Sequence, residues 1–259
     1  DPRVMLVALD NFERLPQRAP RDKLGEFIFE QKKQLQKLSI KARKAIGIIK
    51  TNVTEDDLAS IIYTSGTTGH SKGVMLSHRN LVHDAWVTFQ FQPVTPQDRV
   101  ISILPLPHTY ECTIGFIIPM MGGGSIYYLD KPPTARVLVP TMQKIRPTMI
   151  LTVPLIIEKI FKKQLLPVIS KPHMKVLLAI PGVNKILHKK IREKLNESFG
   201  GRFKEVVIGG AALNPEAEKF FRKINFKFTV GYGMTECGPL ISYASWNTTK
   251  LGASGRPVD

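Results

Sequence analysis

The stretch at residues 61–74 constrains the fold more than any other part of the chain, and it reads IIYTSGTTGHSKGV. Its apolar, β-branched start predicts the end of a buried strand, and a loop dense in glycine and hydroxyl residues follows at once. Glycines let backbone N–H groups approach an anion closely, and hydroxyl groups add further donors. Lys72 supplies a positive charge for phosphate oxygens. The stretch therefore predicts a phosphate-binding loop directly after a strand.

This loop differs from the phosphate loop G-x-x-x-x-G-K-[ST], in which glycine precedes the lysine and a hydroxyl residue follows it. Here Ser71 precedes Lys72, and Gly73 follows it. A flexible loop of serine, threonine and glycine that binds no ligand is the alternative interpretation. The stretch alone leaves that alternative open.

The composition indicates a globular protein without a disulfide framework. The chain has 259 residues, 43% of them hydrophobic, which is enough for one large or two small domains with a substantial core. Cys112 and Cys237 lie far apart and lack the spacing of a zinc site. No uninterrupted apolar run approaches about 18 residues, the length of a membrane span. These observations predict a cytoplasmic thiol protein.

The chain is strongly basic, with a formal net charge of +16, and this favours an anionic partner. Lysines cluster at 32–44, 159–163 and 185–194, where solvated helical faces are the simplest interpretation. Nucleic-acid binding would require basic residues interleaved with aromatic ones or a recognisable module, and neither is present. The charge therefore predicts no nucleic-acid partner, and it suits peripheral attraction to an anionic membrane surface or to the phosphates of a small ligand.

Predicted strands and helices alternate along the chain. Short β-branched runs predict strands, and apolar residues at helical spacing predict helices between them. Ser77 is placed to cap a helix after the phosphate loop, and Asn214, followed by Pro215, to cap another. This alternation predicts an α/β fold of mostly parallel sheets flanked by helices. The predicted strands are 100–104, 125–129 and 148–152, and the predicted helices are 134–145, 154–165, 184–199 and 215–223.

Three further segments carry candidate functional residues. The segment 104–111, LPLPHTYE, places His108 after a strand, where α/β folds often hold ligands, although a lone histidine is as readily structural. The segment 206–213, VVIGGAAL, has small residues that would let a flat ring lie against the backbone. The segment 229–236, TVGYGMTE, ends in a hydroxyl and a carboxylate, which are oxygen ligands of the kind that Mg²⁺ prefers.

Together these motifs resemble those of the adenylate-forming superfamily, which includes acyl-CoA synthetases, firefly luciferase and peptide-synthetase adenylation domains. The first stretch is similar to the family's phosphate loop, [YF]-T-S-G-[ST]-T-G-x-P-K-G-V, with Ser71 in place of the usual proline. The segments 206–213 and 229–236 are similar to its G-G-A-x-L and Y-G-M-T-E motifs, and 252–257 to its G-x-x-G-x-P segment. LPLPHTYE, and VPLIIEKI at 153–160, resemble segments of long-chain fatty acyl-CoA synthetases.

The resemblance implies a site for ATP, Mg²⁺, a fatty acid and CoA as co-substrate, within part of the N-terminal domain of an adenylate-forming enzyme. The implied catalytic residues are Lys72, His108, Thr235 and Glu236. The implied magnesium ligands are Thr64 and Glu236. The implied nucleotide-binding residues are Thr64, Ser65, Gly66, Thr67, Thr68, Gly69, Lys72, Gly210, Ala211, Ala212, Gly231, Tyr232, Gly233 and Thr235.

The implied reaction has two halves, in which a fatty acid and ATP give acyl-adenylate and pyrophosphate, and CoA then displaces AMP. The implied organisation is a partial lead-in segment at 1–50 and the AMP-binding core at 51–259. The family's ribose-binding aspartate, hinge arginine and C-terminal catalytic lysine are not found within these residues, so we expect the isolated chain to turn over poorly or not at all. Two alternatives stay open: adenylation of an aryl or amino acid, and a non-catalytic nucleotide- or membrane-binding module of the same fold.

Overall fold

A computed structural model of the chain describes residues 53–65 and 71–258. The chain divides between Asp57 and Leu58, and the elements below belong to the second unit. The predicted lead-in segment at 1–50 lies outside the described residues, and so do residues 66–70 of the predicted phosphate loop.

The strand before the predicted phosphate loop pairs with a second strand after it, as an antiparallel hairpin. β1 spans Leu58–Ser65, and β2 spans Ser71–Ser77. We predicted that the loop leads straight into a helix, and this is wrong. Val74 and Leu76 turn inward and alternate with exposed residues, which is the period-two pattern of a strand.

The helix predicted after Ser77 is present as α1, His78–Phe91. The Asn80 backbone N–H donates to Ser77 Oγ over 3.3 Å, and the Ser77 backbone N–H donates to Asn80 Oδ1 over 2.9 Å. The predicted cap is therefore confirmed, and it has the reciprocal form of a capping box. The helix buries a stripe that mixes apolar and polar residues: Leu81, Asp84, Ala85 and Thr88.

A five-stranded sheet forms the centre of the unit, with strand order β4-β3-β5-β6-β7 and every neighbouring pair parallel. This confirms the predicted α/β fold with a parallel sheet. The three strands predicted from β-branched runs are present within two residues of their predicted bounds. The strands are β3 Arg99–Ser102, β4 Ser125–Tyr128, β5 Met149–Thr152, β6 Glu205–Ile208 and β7 Phe228–Val230.

Helices connect these strands, and all four predicted helical segments are present. Asn214 caps the last helix, because its Oδ1 accepts from the backbone N–H groups of Glu216 and Ala217. Two π-helical segments, Tyr110–Ile117 and Phe161–Leu165, precede α2 and α5. The helices are α2 Ile118–Gly122, α3 Ala135–Ile145, α4 Pro154–Ile160, α5 Leu166–Ile169, α6 Pro172–Ala179, α7 Val183–Ser198 and α8 Pro215–Lys223.

Both faces of the parallel sheet are covered, as a sheet of this kind requires. On one face, Ile150 and Ile208 pack against side chains of α3, α4, α7 and α8. On the other face, Leu151 and Val207 pack against α1 and the Tyr110–Ile117 segment. Successive residues of a strand point to opposite faces, so β3, β5 and β6 each contribute to both cores.

A small antiparallel sheet of order β10-β9-β8 follows the parallel one along the chain. Its strands are β8 Tyr232–Gly233, β9 Leu240–Tyr243 and β10 Arg256–Pro257. Across the part of the chain that the structure describes, no helix has the length and apolar character needed to cross a membrane.

Candidate active site

A cavity of about 360 Å³ opens at the carboxyl ends of the parallel strands. Its rim is made by the segments that follow β3, β6 and β7, together with the loop end of β1. Parallel strands end at one edge of the sheet, so distant parts of the sequence meet there. The predicted site residues that line the cavity are Thr64, Ser65, His108, Gly210, Gly231, Tyr232, Gly233, Thr235 and Glu236.

Three further predicted site residues that the structure describes do not line the cavity: Lys72, Ala211 and Ala212. Lys72 pairs with Thr64 across the β1–β2 hairpin and is exposed. Ala211 and Ala212 follow the turn after β6 and are exposed as well. Residues 66–69 lie outside the described residues, so the roles of Gly66, Thr67, Thr68 and Gly69 stay predictions.

The turn after β6 presents bare backbone to the cavity. Gly210 has a φ of +88°, a left-handed conformation that glycine adopts without strain. A Cβ atom on Gly209 would lie 3.1 Å from the ring of Tyr110, so glycine allows the ring to approach closely. Tyr110 Oη donates to the Val207 carbonyl oxygen over 3.0 Å. Burial raises the pKa of the Tyr110 hydroxyl, which keeps it a donor.

Thr235 and Glu236 lie on a short 3₁₀ turn at the cavity rim, Thr235–Cys237. Local backbone hydrogen bonds close this turn. The Met234 N–H donates to the Pro239 carbonyl over 2.9 Å, and the Gly238 N–H donates to the Thr235 carbonyl over 3.2 Å. Glu236 is exposed, so the rim offers a hydrated carboxylate to a ligand in the cavity.

Two buried side chains hold the segment that follows this turn. Asp84 Oδ1 accepts from the Leu240 N–H over 3.1 Å, and Thr113 Oγ1 donates to the Gly238 carbonyl over 2.7 Å. Burial raises the pKa of Asp84 to about 7, although the hydrogen bond from Leu240 lowers it. These hydrogen bonds join α1 and the first π-helical segment to residues 238 and 240, and they help to fix the turn that carries Glu236.

His108 lies at the rim in the turn after β3. Its backbone N–H donates to the Pro105 carbonyl over 3.0 Å, and the Tyr110 backbone N–H donates to its Nδ1 over 3.1 Å. Nδ1 acts as the acceptor, so the neutral ring carries its proton on Nε2. The ring can therefore donate a hydrogen bond from Nε2 to an anionic group in the cavity.

The inner part of the cavity is an apolar slot that runs down one face of the sheet. Leu151 of β5 pairs with Val207 of β6 near the carboxyl ends of these strands, and Met149 pairs with Glu205 two residues earlier in each strand. From Gly209 to Glu205 the strand descends four residues, or about 13 Å. The apolar side chains that line the slot are Ile114, Ile118, Met149, Leu151 and Val207.

A hydrogen-bonded cluster closes the lower end of this slot. Gln92 Nε2 donates to Glu205 Oε1 over 2.5 Å and to Tyr243 Oη over 2.6 Å. Tyr243 Oη donates to Glu205 Oε1, and the Trp246 N–H donates to Oε2 over 2.8 Å. Burial raises the pKa of Glu205, although these three donors lower it. The cluster satisfies its own polar atoms, so it forms a fixed floor.

A further buried carboxyl, that of Glu111, is not part of the cavity lining. Glu111 is 1% exposed, and burial raises its pKa to about 7. The Ser102 hydroxyl and the Leu104 N–H lower that pKa, yet neither makes a hydrogen bond of ordinary geometry with it. A Cβ on Gly115 would lie 2.8 Å from the carboxyl carbon, so glycine leaves the room that the carboxyl group fills.

Sequence reasoning did not identify the supporting residues Asp84, Thr113 and Gln92. One signal was available for the first, because Asp84 interrupts the apolar stripe that α1 buries. A carboxyl group on the buried face of a helix requires a partner, and this predicts a structural or functional contact. No comparable signal marks Thr113 or Gln92, since their partners are more than 100 residues away.

The residues of the rim fit a magnesium ion that arrives with a nucleotide. Among the described residues, no three His, Cys, Asp or Glu side chains gather into a metal site. Mg²⁺ is usually held by one or two carboxylates together with substrate phosphates. Glu236 and the Thr64 hydroxyl line the same cavity and form such a partial donor set.

Comparison with known proteins gives a consistent family assignment. Residues 2–259 match the family described as AMP-binding enzyme. Long-chain-fatty-acid–CoA ligase 5 of Rattus norvegicus is 33% identical over 222 residues, which cover 78% of this chain and 32% of that protein. Long-chain-fatty-acid–CoA ligase 1 of Cavia porcellus is 30% identical over 258 residues, which cover 90% of this chain and 36% of that protein. The chain thus spans about a third of the length of these curated relatives.

Solved structures agree with the sequence relatives. ATP-bound MatB from Rhodopseudomonas palustris superposes with a TM-score of 0.60 at 25% identity, covering 82% of this chain and 36% of that chain. A malonyl-CoA ligase in a ternary product complex with methylmalonyl-CoA and AMP shares the fold, with a TM-score of 0.61 at 22% identity, covering 81% of this chain and 40% of that chain. The predicted resemblance and fold class are therefore confirmed, and the chain belongs to the family of AMP-binding enzymes.

Proposed function

We propose that the full-length protein is an AMP-forming ligase that activates a fatty acid with ATP and transfers the acyl group to CoA. The observation that carries this proposal is the division of one cavity into two parts. Its outer part gathers residues of the nucleotide motifs, and its inner part is an apolar slot along the sheet. Two relatives are named long-chain-fatty-acid–CoA ligases, which supports the same class of substrate. Such a reaction would belong to fatty acid metabolism.

In this proposal ATP occupies the outer part of the cavity. The adenine lies against the bare backbone at Gly209–Gly210 and continues along Ala211 and Ala212. Tyr232 is 54% exposed, and its ring stacks on the adenine from the other side. The hydroxyl of Thr235 contacts the α-phosphate.

The loop between β1 and β2 holds the pyrophosphate end of ATP. Its backbone N–H groups and the hydroxyls of Thr67 and Thr68 donate to phosphate oxygens, as anion-binding loops do. Lys72 adds a positive charge that stabilises the leaving pyrophosphate. The loop works by position and charge and forms no covalent bond with the substrate.

In the first step a carboxylate oxygen of the fatty acid attacks the α-phosphorus. The bond from that phosphorus to the bridging oxygen breaks, and pyrophosphate leaves. Nε2–H of His108 orients the carboxylate at the top of the slot, and Thr235 holds the α-phosphate in line. Magnesium bound by Glu236 and Thr64 would offset the negative charge of the phosphates.

In the second step the sulfur of CoA attacks the acyl carbonyl carbon. The bond from that carbon to the AMP oxygen breaks, and acyl-CoA and AMP form. The residues described here contribute by keeping the adenylate in place: Tyr232 holds the base, and the slot holds the acyl chain. The slot also excludes water from the acyl group, which favours the thioester over hydrolysis.

An aryl or amino acid is the alternative substrate. An amino acid would place an ammonium group in the slot, and a buried charge needs a partner of opposite sign. Among the described residues, no Asp or Glu lines the slot itself, and Glu205 in its floor already accepts from Gln92, Tyr243 and the Trp246 N–H. This lining supports an apolar acyl chain instead.

We also propose that the protein is cytoplasmic and associates peripherally with an anionic membrane surface. Cys112 and Cys237 are free thiols, which suits a reducing compartment. The net charge of +16 favours an anionic surface.

The test is pyrophosphate release by the full-length protein with ATP, Mg²⁺ and a panel of fatty, aryl and amino acids. We expect release that depends on the fatty acid, with acyl-CoA formed when CoA is added. If pyrophosphate were released with aryl or amino acids but not with fatty acids, the substrate would be an aryl or amino acid instead. A full-length protein that binds ATP but releases no pyrophosphate with any acid would show a non-catalytic nucleotide-binding module.

A further inference from the structure

One segment of the chain leaves the core and carries apolar side chains into solvent. α6 and α7 contact each other and are joined by three residues, 180–182. Within the described part of the chain, no side chain from 170 to 190 belongs to either buried core. Leu195 and Phe199, at the far end of α7, are buried in the first core. The helix pair is therefore anchored at one end and projects at the other.

The projecting end exposes a group of large apolar side chains, which we call the apolar tip: Val176, Leu177, Ile180 and Ile186. Val176 is 63% exposed, Ile180 is 42% exposed and Ile186 is 59% exposed. Val176 lies in α6, and Ile180 is the residue directly after its end, four positions later, which is the spacing of neighbours on one side of a helix. Single exposed apolar residues are common on protein surfaces, but four of them on one pair of contacting helices and their connection indicate a binding surface.

The segment that carries the tip is positively charged. The segment from 170 to 190 contains five lysines and no Asp or Glu. One of them, Lys189, approaches Glu193 at 3.9 Å, but both side chains are more than half exposed, so this ion pair is weak. The five lysines are Lys171, Lys175, Lys185, Lys189 and Lys190.

We propose that the apolar tip docks on an anionic lipid surface. Val176, Ile180 and Ile186 enter the boundary between headgroups and acyl chains, and the lysines of the same segment contact lipid phosphates. Helices with one apolar side and a lysine-rich surround bind membranes in this way. A protein partner fits less well, because lysine is depleted in protein–protein interfaces. The inference rests on the peripheral location proposed above but does not depend on the ligase chemistry.

The test is flotation of the full-length protein with two kinds of vesicle, one of phosphatidylcholine alone and one that also contains phosphatidylglycerol as a third of its lipid. We expect binding to the second kind, little binding to the first, and release when the salt concentration rises from about 0.1 M to 1 M. Changing Lys185, Lys189 and Lys190 to Gln should weaken binding about a hundredfold. Val176→Ser with Ile180→Ser should weaken it about tenfold.

Matched controls remove the same groups from other exposed positions. Lys131, Lys219 and Lys250 changed to Gln remove three charges, and Leu155→Ser with Leu251→Ser removes two exposed apolar side chains. The proposal requires both controls to bind like the unchanged protein. Absence of binding to the phosphatidylglycerol vesicles, or equal binding by the tip variants, would overturn it. Pyrophosphate release by the same proteins without vesicles tests the ligase proposal separately, so the two failures can be told apart.

Discussion

The backbone N–H of Leu240 donates to Asp84 Oδ1 over 3.1 Å, which ties the helix after the phosphate loop to the segment after the Thr235–Cys237 turn. The two residues are 156 positions apart in the sequence. Asp84 belongs to the buried stripe of α1, and Leu240 begins β9. One buried carboxyl group therefore ties α1 to the strand that follows the turn carrying Thr235 and Glu236.

Replacing Asp84 with Ala should lower kcat more than it raises the KM for ATP. The Leu240 N–H would lose its acceptor, at a cost of about 1–3 kcal/mol, and the turn that carries Glu236 would shift. A displacement of about 1 Å near the reacting groups can cost about a hundredfold in rate. Steady-state kinetics of the full-length protein would measure both constants.

Asp84→Asn provides the matched control, because its Oδ1 can still accept the hydrogen bond from Leu240. We expect its kcat to stay within about threefold of the unchanged protein, since less than 1 kcal/mol is then lost. Val82→Ala, at an exposed position of the same helix, should have no effect. If Asp84→Ala and Asp84→Asn lowered kcat equally, the charge of Asp84, and not its hydrogen bond to Leu240, would be what catalysis requires.

The floor made by Gln92, Tyr243 and Glu205 should limit the length of the acyl chain. With C–C bonds of about 1.5 Å, an extended hydrocarbon advances about 1.25 Å per carbon, so the 13 Å slot holds about ten carbons without bending. Gln92→Ala should open the floor and shift the preference toward longer fatty acids. Each additional buried methylene would raise kcat/KM about fourfold. The measurement is kcat/KM across a series of chain lengths, and an unchanged profile would exclude this floor as the limit.

Two glycines of the same motif should differ sharply in their tolerance of alanine. A Cβ on Gly233 would lie 2.2 Å from the carbonyl oxygen of Pro239, a backbone atom that cannot move aside cheaply. A Cβ on Gly231 would meet its nearest neighbour, a Leu240 methyl group, at 3.7 Å, which is ordinary contact. We expect Gly233→Ala to lower the melting temperature by several degrees, as a loss of about 2 kcal/mol would, and Gly231→Ala to leave it nearly unchanged. Similar melting temperatures for the two variants would contradict the close approach of β8 to Pro239.

Glu111→Gln should stabilise the protein at high pH and much less at low pH. Burial raises the pKa of Glu111 from its ordinary 4.5 to about 7. Between these values the folded protein keeps a proton that the unfolded chain has lost, so stability falls as the pH rises toward 7. Glutamine does not titrate, so the variant does not lose this stability, which amounts to at most about 3 kcal/mol in the free energy of unfolding.

The measurement is the free energy of unfolding in urea at pH 5 and at pH 8. The advantage of Glu111→Gln over the unchanged protein should grow between these pH values by about 2 kcal/mol. Glu216→Gln, at an exposed position of α8, should show no such growth. A constant difference between the two pH values would mean that Glu111 does not titrate in this range.

The sequence predicts the parts of this fold that depend on local pattern. Alternating β-branched runs and helical periodicity predict the parallel sheet, and Ser77 and Asn214 cap the helices where they were expected to. β2 was missed because its glycine and serine residues are typical of a loop. Only its pairing with β1 makes the stretch from Ser71 to Ser77 a strand. α6 was missed because no side chain of that short helix is buried, so it has no clear periodicity.

The site was predictable where its residues form contiguous motifs and not where it depends on contacts across the fold. Thr235 and Glu236 are adjacent in a distinctive segment, and the structure places both on the cavity with Thr64 and His108. The Gln92–Glu205 contact joins residues 113 positions apart, and neither residue stands in a recognisable pattern. Such contacts can be identified only from the folded structure, because the order of the strands in the sheet brings distant parts of the sequence together.

The most direct test of the central claim is AMP and pyrophosphate formation by the full-length protein with a fatty acid, ATP and a range of Mg²⁺ concentrations. We predict that Glu236→Gln lowers the rate by about a hundredfold or more and shifts the half-maximal Mg²⁺ concentration upward, because a carboxylate ligand is lost. Glu216→Gln, which removes an exposed carboxylate outside the cavity, should change neither quantity. An unchanged rate and an unchanged Mg²⁺ dependence in Glu236→Gln would contradict the proposed site.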